Sequence, residues 1–159
     1  VRSILKQPAV KRINDYKKLF QIENEIDLKE LKKSYRSLVK EWHPDKFSQD
    51  DPKAAEAEVK STEIIDGYHF LVSIAPETKE ANLEEYTKTL ATSGISDFQH
   101  KRQVLEVTFL DGTTYEYFGV SSKLYGKMVN SDKIFRFAKR NIFNSHLYRK
   151  SKRDSEVVK

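Results

Sequence analysis

Cysteine is absent from this chain of 159 residues. Disulfides are therefore excluded, and a reducing compartment, the cytoplasm, is the expected location. No apolar run approaches the roughly 18 residues that a membrane span requires, so no membrane segment is expected. The opening VRSILKQPAVKR has no apolar core of the kind a secretory leader needs. It also lacks an initiator methionine, which points to a trimmed or partial chain. Ligand clusters are missing too. His43, His69, His100 and His146 show no spacing that would hold a metal ion. Ser48 lies near His43, yet nothing beside it would form an oxyanion hole. Neither a metal nor a cofactor is expected, and the chain reads as a non-enzyme.

What is present divides in two. The length suits one ordinary domain or two small ones. Residues 1–86 hold 15 Lys and Arg against 17 Asp and Glu, whereas residues 87–159 hold 14 against 7. Such an asymmetry fits two units with different partners, and it equally fits a basic tail that aids solubility.

The first half carries three helical signals. Asp15 before YKKLFQI predicts a short helix capped by that aspartate, with Tyr16, Leu19 and Phe20 at helical spacing. The run DLKELKKSYRSLVKEW predicts a longer one, with Asp27 as cap and Glu30 completing a capping-box variant. Its Leu28, Leu31, Tyr35, Leu38 and Trp42 share one stripe that must be buried. Lys29, Lys32, Lys33, Arg36 and Lys40 fall on another arc. Five like charges at such spacing repel, each pair by a few tenths of a kcal/mol. The arc therefore reads as a docking surface for an acidic partner, or else as a solvated face.

The pattern stops at His43-Pro44-Asp45. Pro44 disfavours helical geometry at His43 and donates no hydrogen bond, so the helix ends near Trp42. Asp51 before Pro52 restarts a helix over about 52–74, with Ile64, Tyr68 and Leu71 on its buried face and Val59 and Val72 beside them. Gly67 inside that helix suggests a close helix crossing. Two long antiparallel helices with a short one packed across them would hold a loop of about nine residues. His43 in that loop could also simply cap the last carbonyls of the helix before it.

EWHPDK, preceded by LKKSYRSL, resembles the J-domain of DnaJ-type co-chaperones over about residues 14–75. The resemblance implies that this loop and the basic helix face bind a DnaK-type chaperone ATPase and promote its ATP hydrolysis, as in cytoplasmic bacterial co-chaperones. His43, Pro44 and Asp45 match the signature. Lys32, Tyr35, Arg36 and Lys46 match partner-facing positions, and Lys29, Lys33 and Lys40 extend the positive face. There are departures: Ser37 stands where many relatives have a second base, Gln21 where glycine often follows the first helix, and Phe47 where asparagine is more frequent. HPDKF is similar to J-proteins of iron–sulfur assembly, but the helical domain expected there has no counterpart after residue 90.

PETKEANLEEY (76–86) reads as a polar connecting segment, helical in part. From residue 95 the period switches to two. ISDFQH and VLEVTFL, then the turn dipeptide Asp111-Gly112, then TTYEYFGV predict a meander of about three antiparallel strands. Short helices should follow at SSKLYGKMV and from Ser131-Asp132, and a further strand could begin at Leu147-Tyr148. Tyr115-Glu116-Tyr117 with GVSSKLYGKM resembles the KTSC domain, found alone or appended to some lysyl-tRNA synthetases, over about 86–150. The usual Val-Pro after that motif is Val120-Ser121 here, and the usual Phe-Asn is Phe137-Ala138. The resemblance suggests nucleic-acid binding. Candidate residues are the rings of Tyr115 and Tyr117, with Lys123, Lys127, Arg136, Lys139, Arg140, Arg149 and Lys150 for phosphates. Two tyrosines on one face of a small sheet can equally be core.

The expected architecture is α+β: an extension (1–13), a J-domain (14–75), a connector (76–86), a KTSC-like domain (87–150) and a basic tail (151–159). The expected function is a J-domain co-chaperone whose second domain binds a client or nucleic acid. The alternative is an RNA- or ribosome-associated protein in which the J-domain is secondary.

Overall fold

The computed structural model describes residues 8–151. Two compact units divide the described residues: one spans 13–78, and the other takes in 79–151 together with 8–12. The first is helical. The second is built on a four-stranded antiparallel sheet with helices, so the fold is α+β.

Helix α1 spans Pro8–Leu19. It is longer than Asp15 as a cap predicted: Pro8, whose fixed φ suits a first helical turn, opens it, and Asp15 is an interior residue. The helix ends in a Schellman motif. Ile22 N–H bonds Lys17 C=O at 2.7 Å and Gln21 N–H bonds Lys18 C=O at 3.1 Å. This places Gln21 at φ 58°, a left-handed conformation.

Helix α2 spans Leu28–Trp42. Asp27 caps it, its carboxylate accepting from Lys29 N at 2.9 Å and Glu30 N at 3.4 Å. Of the apolar stripe only Leu31 is fully buried; Leu28, Tyr35, Leu38 and Trp42 are half-buried. Helix α3 spans Lys53–Ile74, and Asp51 Oδ1 accepts from Lys53 N at 2.8 Å, as the Asp51-Pro52 pair predicted. Tyr35 stacks on Tyr68 with ring centroids 4.0 Å apart, while the Lys60 ammonium lies 6.0 Å from the Trp42 ring. Residues advancing along α2 thus meet residues receding along α3, so the pair is antiparallel. Gly67 marks the predicted crossing: a Cβ there would lie 2.8 Å from Tyr16 Cδ1 and 3.2 Å from Phe20 Cε2. Val59 is a correction. It is 69% exposed, on the outer side of α3, while Ala57, Ile64, Phe70, Leu71 and Ile74 fill the core with Phe20, Ile26 and Leu31.

Helix α4 spans Pro76–Thr92. The polar stretch 76–86 is helical throughout and continues past Tyr86. From Lys79 the helix belongs to the second unit and buries Tyr86, Thr89 and Leu90. Strands β1 (Ile95–Lys101), β2 (Val104–Phe109), β3 (Thr114–Phe118) and β4 (Tyr148–Lys150) follow one another in the sheet: the expected meander of three, then a fourth strand where Leu147-Tyr148 suggested one. Leu105 pairs with Tyr117 and Val107 with Tyr115, and all four are buried. Helices α5 (Ser122–Val129) and α6 (Ile134–Ala138), then a π-helical turn (Lys139–Phe143), bring Met128, Ala138, Ile142 and Phe143 onto the same core.

The two hairpins differ. Asp111-Gly112 lies in a four-residue loop, with Gly112 at φ 93° and Phe109 N–H bonded to Thr113 C=O at 2.8 Å. Asp111 accepts from Thr113 N, Thr113 Oγ1 and Thr89 Oγ1. Partial burial raises this carboxyl, but those bonds and the Lys150 charge outweigh it, so its pKa is lowered. The β1–β2 turn is the tight one, carried by Arg102 at φ 52° and Gln103 at φ 63°. No helix among the described residues is long and apolar enough to cross a membrane. The basic tail lies, from residue 152, outside the described residues.

Candidate partner-docking site

At the end of α2 the chain turns on Pro44. His43 takes φ −59°, ψ 130°, the extended geometry that a following proline imposes, and Pro44–Lys46 form one 3₁₀ turn. The imidazole does not reach back to the helix carbonyls. It turns forward, and Nδ1 accepts the Asp45 N–H at 3.2 Å. Accepting there assigns the proton of the neutral ring to Nε2. The Asp45 carboxylate lies 3.5 Å from the same Nδ1. Because the lone pair is engaged by the N–H, the neutral ring has no proton to offer that oxygen, so the backbone bond holds the turn. The Asp45 side chain is 92% exposed. Phe47 packs back on Trp42, ring centroids 6.4 Å apart, which ties the far end of the turn to α2.

Tyr35, Arg36, Val39, Lys40, His43, Asp45 and Lys46 surround one open hollow of about 450 Å³. Val39 completes this set and was missed by the sequence reading, because it sits one position off the Leu28, Leu31, Tyr35, Leu38 and Trp42 stripe, between Leu38 and Lys40. The hollow thus joins the apolar surface of Tyr35 and Val39 with three cations and one carboxylate. Two other predicted residues, Lys29 and Lys32, are exposed on α2 outside it. Lys33 is exposed as well, and lines a neighbouring groove with Glu30, Ser34, Ser37 and Glu41.

The second predicted site is rearranged. Tyr115 and Tyr117 are 1% and 0% exposed, so neither ring can stack on a base. They belong to a buried cluster in which Tyr86 Oη donates to Phe143 C=O at 2.7 Å and shares a 2.9 Å bond with Tyr117 Oη. Tyr86 has one hydroxyl proton and gives it to the carbonyl; Tyr117 is therefore the donor to Tyr86. Burial, first of all, pushes the phenols of Tyr86, Tyr117 and Tyr148 up. Arg149 is paired with Glu116 at 2.8 Å and Lys150 with Glu85 at 3.1 Å, so these two cations are engaged within the fold. Lys123 and Lys127 are exposed on α5, whereas Arg136, Lys139 and Arg140 gather with Phe135 and Asn144 around a second hollow.

Comparison with known proteins places this geometry. Residues 15–81 match the DnaJ domain and residues 92–148 match the KTSC domain. Neither is a family of known enzymes. The chain is similar to the Chaperone protein DnaJ of Nitratiruptor sp., 32% identical over 106 residues, which cover 66% of this chain and 26% of that protein. The Chaperone protein DnaJ of Halothermothrix orenii is 36% identical over 72 residues, 45% of this chain and 17% of the relative. That of Anaplasma marginale is 36% identical over 81 residues, 51% and 20%. The matched segments thus span about a quarter or less of these relatives. No solved structure gives a significant match.

Proposed function

We propose that this chain, a DnaJ domain followed by a KTSC domain, acts as a cytoplasmic co-chaperone that docks on a DnaK-type ATPase and stimulates its ATP hydrolysis. In this reading the KTSC domain selects what is delivered. The observation that carries the proposal is the Asp45 carboxylate, 92% exposed, held on a turn beside a hollow that Arg36, Val39, Lys40 and Lys46 also line.

The chemistry of hydrolysis belongs to the partner. Arg36, Lys40 and Lys46 accelerate encounter with an acidic surface through long-range attraction, which salt screens. Val39 and Tyr35 then give the docked partner an apolar centre, from which water is excluded. Asp45 offers a charge-assisted acceptor to one basic group of that partner, a bond worth roughly 1.5–3 kcal/mol. His43 positions the turn and Pro44 rigidifies it.

The test is steady-state ATP hydrolysis by a bacterial DnaK-type chaperone with and without the chain. Wild type should stimulate turnover. Asp45→Asn should abolish stimulation while the thermal midpoint stays unchanged, because the replaced carboxylate faces solvent. Normal stimulation by Asp45→Asn would refute the docking role.

A further inference from the structure

The hollow on the second unit has a composition that the co-chaperone reading does not use. Phe135, Arg136, Lys139, Arg140 and Asn144 line about 530 Å³ of open space, a volume within the range that small-ligand sites occupy. The residues come together for a local reason. α6 is only five residues long and passes directly into a π-helical turn. Such a turn is wider than an α-turn and recurs at functional sites. Asn144 Nδ2 closes this one on Lys139 C=O at 3.2 Å, while Asn141 Nδ2 bonds Phe137 C=O at 2.9 Å.

Its charge is one-sided. Arg136, Lys139 and Arg140 are exposed, and among the described residues none of them has a carboxylate partner, in contrast to Arg149 and Lys150. Like charges three and four residues apart repel by a few tenths of a kcal/mol per pair, and an anion held among them would relieve that repulsion. Two guanidinium groups present planar forks that match a phosphoryl group, with the ammonium as a third charge. Beside them stands a ring. Phe135 is half-buried, its edge anchored against Phe143 at a centroid distance of 5.9 Å, so it remains at the wall of the hollow. Phosphate-binding forks next to a fixed aromatic ring suit a ligand that is anionic at one end and flat at the other.

We propose that this hollow binds a nucleotide, with the phosphoryl group held by Arg136, Lys139 and Arg140 and the base against Phe135. The nucleotide can be a free one or a unit of a single strand. This site replaces Tyr115 and Tyr117 as the place where a base could be held, and it does not depend on the docking role of Asp45.

The experiment titrates the full chain with AMP, with a short fluorescently labelled oligoadenylate and with inorganic pyrophosphate, following NMR shifts of Asn144 and anisotropy of the label. Wild type should bind AMP and the oligonucleotide, shifting Asn144. Arg136→Gln and Arg140→Gln, both at exposed positions, should each weaken the two ligands by about tenfold at unchanged thermal midpoint. Phe135→Leu should weaken AMP but not pyrophosphate. Much tighter binding of the oligonucleotide than of AMP identifies a strand as the source, and equal affinities identify a free nucleotide. The proposal is overturned if pyrophosphate binds as well as AMP, if the arginine variants bind like wild type, or if no binding is seen.

Discussion

Gln21 holds a side chain where the backbone favours none. At φ 58° it occupies the left-handed position of the motif that ends α1, a conformation that costs a residue with a Cβ roughly 1 kcal/mol. Glycine carries no such penalty, although it gives the unfolded chain more freedom. Gln21→Gly should therefore stabilise the protein by about 0.5–1 kcal/mol, seen as a raised thermal midpoint; a lowered midpoint would show that the side chain contributes packing. Single residues were unevenly legible in the sequence. His43, Pro44 and Asp45 stood out because a proline after a charged helix is a physical discontinuity. The direction of the His43 ring did not, since a cap on the preceding helix and a bond to the following turn use the same residues and differ only in χ angles.

At the level of elements, legibility followed local pattern. α2 and α3 were readable because their caps and apolar spacing are local. β2 and β3 were readable because they alternate. The β1–β2 turn was missed: Arg102 and Gln103 adopt the left-handed pair that a tight hairpin needs, without the Asn-Gly or Asp-Gly pair that announces it. The extent of α4 was missed because most of it is solvated, and only Tyr86, Thr89 and Leu90 are buried. The tyrosine pair between α4 and β3 gives a directional test. Tyr117→Phe removes a donor and leaves Tyr86 still bonded to Phe143 C=O, a loss of about 0.5–1.5 kcal/mol. Tyr86→Phe strands both the Tyr117 hydroxyl and the Phe143 carbonyl, about 1–3 kcal/mol for each buried group left unpaired. Denaturant unfolding should rank Tyr86→Phe as clearly the more damaging; equal losses would reverse the assigned donor.

For the whole molecule, the chain divides into two compact units near residue 79, and the charge asymmetry between residues 1–86 and 87–159 gave no sign of where the cations would gather. Arg149 and Lys150 left the expected surface because carboxylate partners distant in sequence, Glu116 and Glu85, engage them. Stability against alkali is also a global property. The phenols of Tyr86, Tyr117 and Tyr148 are all raised, chiefly by burial. A group whose folded pKa exceeds its unfolded value, about 10 for tyrosine, stabilises fully below that value. The contribution is lost as pH rises through the folded pKa, because only the unfolded chain releases the proton. Unfolding free energy should thus begin to fall above about pH 10, and Tyr117→Phe should flatten that fall. An unchanged slope would mean that the phenol ionises equally in both states.

The chain's only tryptophan is Trp42, which lies next to His43 in the sequence, with Phe47 stacked on its ring and the Lys60 ammonium 6.0 Å away. The molecule therefore carries its own fluorophore beside the turn that a partner would grasp. Excited at the red edge, where tyrosine is silent, its emission offers a label-free optical record of how often that turn is occupied.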